Sequence, residues 1–213
     1  MTLTQQNAIK STNNQLILEQ GYRINEWLPI LDDPKIRSLK EIKGRISVMN
    51  AANNIAFEAP THEIKNWIIK HKLTKYLSES EQLIIDKPND HLSNFELNSM
   101  MWYTESLWAL MWCVEMIETL DAVKPVGDNM AQLLPNLEEE EDNSKIENIQ
   151  NIKPEIEIYT MLDYYYRLHW CVVNSRVNGV KTKLVEGVIY ERRKALEWVF
   201  DQDYDWDSVE MET

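Results

Sequence analysis

The chain has 213 residues, enough for one domain or at most two small ones, and its 44% hydrophobic and 27% charged content is globular rather than disordered. With 35 Asp and Glu against 22 Lys and Arg the formal net charge is −13, which excludes a nucleic-acid binder that relies on a basic face. Five glycines and eight tryptophans stand out: few flexible turns and many large apolar anchors.

Residues 1–36 read as a weakly helical N-terminal extension whose first 20 residues form a loosely attached helix. The stretch from Met1 to Gln15 is polar and lacks the apolar core of a signal peptide. Pro29, Pro34, Pro60, Pro88, Pro125, Pro135 and Pro154 punctuate the rest of the chain, falling between segments of helical period. From Leu39 to Phe57, Ile42, Ile46, Met49, Ala52, Ile55 and Ala56 recur at three- and four-residue steps and predict an amphipathic helix. Thr61 is placed to cap the next helix, which carries Ile64, Trp67, Ile68 and Leu73. Ser78 with Glu81, and Ser93 with Glu96, have capping-box spacing. The second box opens the longest apolar segment, Phe95 to Leu120. Its uninterrupted apolar run, Leu107 to Val114, is far short of the roughly 20 residues that span a bilayer, so no membrane span is expected.

Between Ala122 and Pro154 the periodicity collapses around isolated Leu133, Leu134 and Leu137 and the acidic run Glu138 to Asp142. Such a composition predicts a long, poorly ordered loop, because little apolar burial is on offer to offset the ordering entropy. Two further helices come after it, between Glu155 and Phe200. The expectation is an all-α fold, a single-domain helical bundle over residues 37–213 with one long acidic loop, 122–154, in the middle. Cys113 and Cys171 fall inside helices without CxxC spacing, as buried free thiols of a cytoplasmic protein would.

A few polar residues fall on apolar faces and need partners. Glu105 shares a face with Trp102, Trp108 and Trp112. Arg192 sits inside the stripe Val185, Val188, Ile189, Leu196 and Val199, with Glu191 one step round and Arg193 and Lys194 less committed to the core. Arginine is rarely buried unpaired, so Arg192 is expected to bond a carboxylate from another helix, Glu105 first and Asp207 second. Asp163 and Arg167 are four apart and can pair along their helix, a contact worth only about a few tenths of a kcal/mol. His169 lies among Tyr165, Tyr166 and Val173, the setting of a satisfied core histidine. Candidate cluster residues are therefore Glu105, Arg167, His169, Glu191, Arg192 and Asp207, with Trp102, Trp108, Trp112, Trp170 and Trp198 as aromatic lining.

Several chemistries lack their motifs. There is no GxGxxG, GxxxxGK[ST] or GxSxG, and after His62-Glu63 the position an HExxH motif needs as His is Asn66. Asp201, Asp203, Asp205 and Glu212 fall in calcium-loop register, but Trp206 stands where the sharp turn needs glycine, so Trp206 is expected to dock into the core instead. No metal site and no cofactor are expected.

Four segments carry a family resemblance: Glu105-Ser106-Leu107-Trp108, Tyr166-Arg167-Leu168-His169-Trp170, the run Tyr190 to Trp198, and the ending Asp205-Trp206-Asp207. From about Glu41, with Arg45 at an early Arg position, to Thr213 the chain resembles the bacterial domain of unknown function 4272 family. Members usually end in Asp-Thr where this chain has Glu212-Thr213. The resemblance implies an all-helical domain and carries no activity, substrate or catalytic residue.

The residues leave two functional classes. One is a non-enzymatic, acidic protein-binding or regulatory module, supported by the missing motifs and by Trp and Tyr as interface anchors. The other is a small-molecule-binding protein or hydrolase with Glu105, Arg167 and Arg192 in an aromatic-lined pocket. Eleven of the acidic residues lie in Glu138–Asp142 and Asp201–Glu212, stretches without Lys or Arg, so the remaining body carries only −2. The acidity is local, one loop and one tail, each open to a basic partner and each more simply a solvated segment.

Overall fold

Capping boxes start four of the helices. Thr2 and Gln5 open α1 (Leu3–Glu19), and Ser38 and Glu41 open α2 (Leu39–Ala56); in each, the hydroxyl accepts the N–H three residues on while the longer side chain takes the cap N–H. α3 (Thr61–Lys70) is different. Thr61 is its first helical residue rather than its cap, and the Thr61 N–H is taken from outside by Asn89 Oδ1 at 2.9 Å. The boxes expected at Ser78 and Ser93 are present at the starts of α4 (Glu79–Ile85) and α5 (Asn94–Cys113). Single-turn helices α6 (Met130–Leu133) and α7 (Ser144–Glu147) come next, then the long α8 (Glu155–Val177) and α9 (Glu186–Phe200). This computed structural model describes residues 1–212, and among them the only strand-like pairing is an isolated bridge between Lys35 and Asp201.

The long helices lie side by side in the order α1, α8, α9, α5, α2, α3. α5 is central, packed by α9 on one side and α2 on the other, which is why every residue from Ser106 to Cys113 is buried. It stops at Cys113, short of Leu120, because Glu115 turns into the left-handed region at φ 60° and the Met116 N–H bonds Met111 O. The same closing turn ends α2 at Glu58 (φ 72°) and α3 at Lys72 (φ 58°), whereas α1 and α8 use Gly21 and Gly179. Three helix stops thus rest on Glu or Lys where glycine is cheaper.

Two of the scarce glycines are instead places of close approach. A Cβ on Gly44 would lie 2.4 Å from the Tyr76 ring, and one on Gly187 would lie 2.4 Å from the Trp102 ring.

Two expectations need correction. The first helix is not loosely attached: Ile17 is fully buried and Asn13 donates to Asp163 Oδ2 at 2.9 Å and to Thr160 O at 3.0 Å. Residues 122–154 are largely irregular but anchored, with Met130, Leu134 and Ile146 in the core and Asn143 accepting from Ser47 at 2.9 Å. Widely spaced apolar residues can pin an irregular segment without producing any periodic signal.

Candidate functional site

Four arginines project from helices into the interior, and each finds a carboxylate. Arg192, fully buried on α9, donates through Nε and Nη2 to Glu105 Oε2 on α5, at 2.8 and 2.7 Å. Its remaining donors go to Asp121 O (2.6 Å), Lys124 O (3.0 Å) and Tyr165 Oη (3.3 Å). The pair therefore ties α9 to α5 and to the turn after α5. Asp207, the alternative partner, lies elsewhere: its carboxylate accepts the Ser80 N–H at 2.9 Å and the Ser80 hydroxyl at 2.8 Å, at the start of α4. These bonds hold its pKa below the ordinary value against the opposing effect of burial.

Arg167 and Asp163 form a two-bond pair along α8, at 2.8 and 2.7 Å. Both are buried and Asn13 and Pro29 O join them, while Arg167 Nη1 is buried without a hydrogen-bond partner among the described residues, so this is an interior contact. Arg193, less committed to the core by its place on the helix, is buried as well. It donates to Glu197 at 3.0 Å, to His169 Nδ1 at 2.7 Å, and to the carbonyls of Met211 and Glu212. The guanidinium covers Tyr166 and clips the tail to the body. Burial, reinforced by Arg193, pushes the His169 pKa down to about 4, so the ring is neutral and its Nδ1 accepts. Glu191 accepts the Ser106 hydroxyl at 2.8 Å, and burial raises its pKa above the usual carboxylate value.

The fourth pair is one that the sequence did not bring forward. Arg45 on α2 donates from Nη1 to Glu81 at 2.7 Å and to Tyr76 O at 3.1 Å, and its Nη2 also meets Glu81. The signal was available, since Arg45 falls on the apolar face between Ile42, Ile46 and Met49 as Arg192 does on its own. Trp206 docks over this pair as expected: the Arg45 guanidinium lies 4.3 Å and Lys194 Nζ 4.8 Å from its ring, with Tyr103 and Trp198 edge-on. The tail is rooted by Arg37, which donates to the carbonyls of Trp198, Asp201 and Tyr204. Asp203 meets Lys35, and among the described residues no three His, Cys, Asp or Glu side chains converge as metal ligands.

The five lining tryptophans do not share one pocket. Trp102 rests on Gly187, Trp108 approaches Gly127, Trp112 lies under Lys153, and Trp198 lies under Arg37, while Trp170 is half-buried against the core. Among the clefts on the surface of the described residues, three stand out. The first, about 580 Å³, lies between the end of α2, α3 and residues 137–140. The second, also about 580 Å³, is bounded by Tyr22, Asp121, Tyr164, Lys181 and Lys183. The third, about 620 Å³, runs between α1, α8 and residues 118–122, with Trp112 in its wall. None of Glu105, Arg167, His169, Glu191, Arg192 or Asp207 lines any of them.

A helical body cross-braced by buried Arg–carboxylate pairs is the class of protein these features define. No helix among the described residues is long and apolar enough to cross a membrane. The family model described as Domain of unknown function (DUF4272) matches residues 9–209, and the chain belongs to that family. The match starts well before Glu41 and so takes in most of α1, consistent with the packing of α1 on α8. No curated protein and no solved structure matches the chain.

Proposed function

We propose that this protein is a non-enzymatic module that binds a protein partner in the cytoplasm. One observation carries the reading: the side chains best suited to acid–base work are held in buried or half-buried contacts with one another, and none of them lines the three clefts described. A general acid or base must reach a substrate proton within hydrogen-bond distance, and these groups are turned toward one another. The surface meanwhile presents large apolar side chains, among them Trp27 at 93% exposure and Phe95 at 80%, of the kind that anchor interfaces. Cys113 and Cys171 are free and buried, with thiol pKa values pushed up to about 12 by burial, which suits a reducing compartment. The net charge of −13 leaves nucleic acid aside as a partner.

Two measurements on the purified full chain test the reading. A thermal-shift screen against metabolites and metal ions is expected to give no reproducible rise in Tm. Affinity purification from source cells is expected to recover a protein that stays bound to the Glu105→Gln variant. A small molecule that raises Tm in the wild type and not in Glu105→Gln would restore the pocket reading built on Glu105, Arg167 and Arg192.

A further inference from the structure

We infer that the cleft between the C-terminal end of α2, α3 and residues 137–140 is the docking groove, and that its occupant is a basic segment of a partner protein carrying an apolar anchor. This rests on the protein-binding reading above and adds the place and the chemistry of the contact.

The groove is apolar within and acidic at its edge. Ile64 and Trp67 are buried beneath it, Leu137 is half-buried beside them, and Phe57 stands in the wall at 63% exposure. Around them are Glu58, Glu63, Glu138 and Glu140, against a single cation, Lys70. Among the described residues none of these four carboxylates pairs with a Lys or Arg; Glu63 meets exposed His62, at 3.9 Å. The neighbouring acids of the same run are occupied within the chain. Glu141 pairs with Lys145 at 2.6 Å and accepts the Asn136 N–H, and Asp142 accepts the Ser144 N–H. Trp67 Nε1 donates to Glu141 O at 2.9 Å, which pins the acidic turn against the groove. The run that looks uniform in the sequence is thus divided: Glu141 and Asp142 hold the turn, while Glu138 and Glu140 stand free at the groove.

Charge decides between occupants. No three acidic side chains of the described residues converge enough to share a metal ion, while four separate carboxylates line the rim. The apolar floor calls for a side chain that a polyamine lacks. Complementarity of this kind, an apolar centre within a charged rim, is the anatomy of a specific protein interface. In the other two clefts most of the carboxylates are already answered within the chain: Asp121, which lines both, pairs with Lys124 at 3.4 Å, and Glu157 in the third pairs with Lys153 at 3.3 Å.

The test uses the full-length protein and fluorescently labelled synthetic peptides, read by anisotropy: one of Lys and Arg around two Leu, one of Lys and Arg alone, with spermine as competitor. The anchored peptide is expected to bind saturably at one site. The double reversal Glu63→Lys/Glu138→Lys should weaken it about tenfold or more, and Phe57→Ser about threefold. A control double reversal, Glu26→Lys/Glu155→Lys, changes net charge equally on residues outside the groove and should stay within about twofold. An unchanged Tm confirms that each variant folds. The inference is overturned by an absence of binding, by equal loss in the control, or by an anchorless peptide or spermine competing as well as the anchored one. If a co-purified partner stays bound to Glu63→Lys/Glu138→Lys, the protein-binding reading stands and this groove assignment alone fails.

Discussion

Replacing Arg192 by Ala should be among the most damaging single changes to this chain. The side chain is fully buried and makes two bonds to Glu105, two to the carbonyls of Asp121 and Lys124, and one to Tyr165 Oη. Alanine leaves the Glu105 carboxylate uncompensated, strips two carbonyls of their donor, and opens a cavity beneath the turn after α5. Breaking one side of a buried pair costs about 3–5 kcal/mol, against a total stability of about 5–15 kcal/mol. For a chain of this size that is a fall in Tm of about 6–20 °C. Urea unfolding followed by tryptophan fluorescence, with calorimetry for Tm, measures it. The pair itself is separable from the burial: the double variant Arg192→Met/Glu105→Leu removes both charges and should be clearly more stable than Arg192→Ala. An Arg192→Ala protein within about 1 kcal/mol of the wild type would refute the reasoning, because it would mean that the Glu105 carboxylate is solvated well enough to stand alone.

The same packing sets other expectations. Glu115→Gly should stabilise the chain by about 1 kcal/mol, read as a Tm rise of about 2–4 °C, because φ 60° is left-handed backbone that glycine adopts without strain. Gly44→Ala should destabilise by about 1–3 kcal/mol in denaturant titration, since a Cβ 2.4 Å from the Tyr76 ring outweighs the gain in helix propensity. His169 has a depressed pKa, so below the ordinary value of 6.5 the unfolded chain binds a proton that the folded one refuses until about pH 4. Its contribution to stability is therefore present above pH 6.5 and is lost as pH falls from there to about 4; stability curves of His169→Gln, relative to the wild type, should lack that slope. Trp206→Ala removes the ring over Arg45 and should cost about 3–5 kcal/mol, with faster hydrogen exchange through the tail as the local readout.

Two capping boxes and the limits of the helix from Leu39 to Phe57 and of the last helix at Phe200 were legible in the sequence, whereas the stop of α5 at Cys113 was not. A capping box is a local device, two side chains three residues apart, and the boxes at Ser78 and Ser93 are visible in the letters alone. The stops at Glu58, Lys72 and Glu115 carry no glycine to mark them; each is closed by a backbone bond five residues back, from the N–H of Ala59, Leu73 and Met116. Thr61 shows the same division: the sequence marks a cap, while the bond is made by Asn89, 28 residues on. The pairing of Arg192 with Glu105 was accessible because each was an ionised group stranded on an apolar face, and a low-dielectric interior demands a partner. The Arg45–Glu81 pair carried the same mark on its arginine, but Glu81 looked fully explained by its capping role.

The sequence by itself determined an all-helical chain, the starts of α4 and α5, the resemblance to its family, and the confinement of negative charge to one loop and one tail. These depend on spacing and composition, which act over a few residues. Only the tertiary structure decided that the tryptophans part company, that the buried arginines close on carboxylates away from every described cleft, and that the acidic run divides into residues that hold a turn and residues left free around an apolar groove. Those outcomes depend on which distant faces meet, and burial, rather than residue type, determines whether a charge is a brace or a contact.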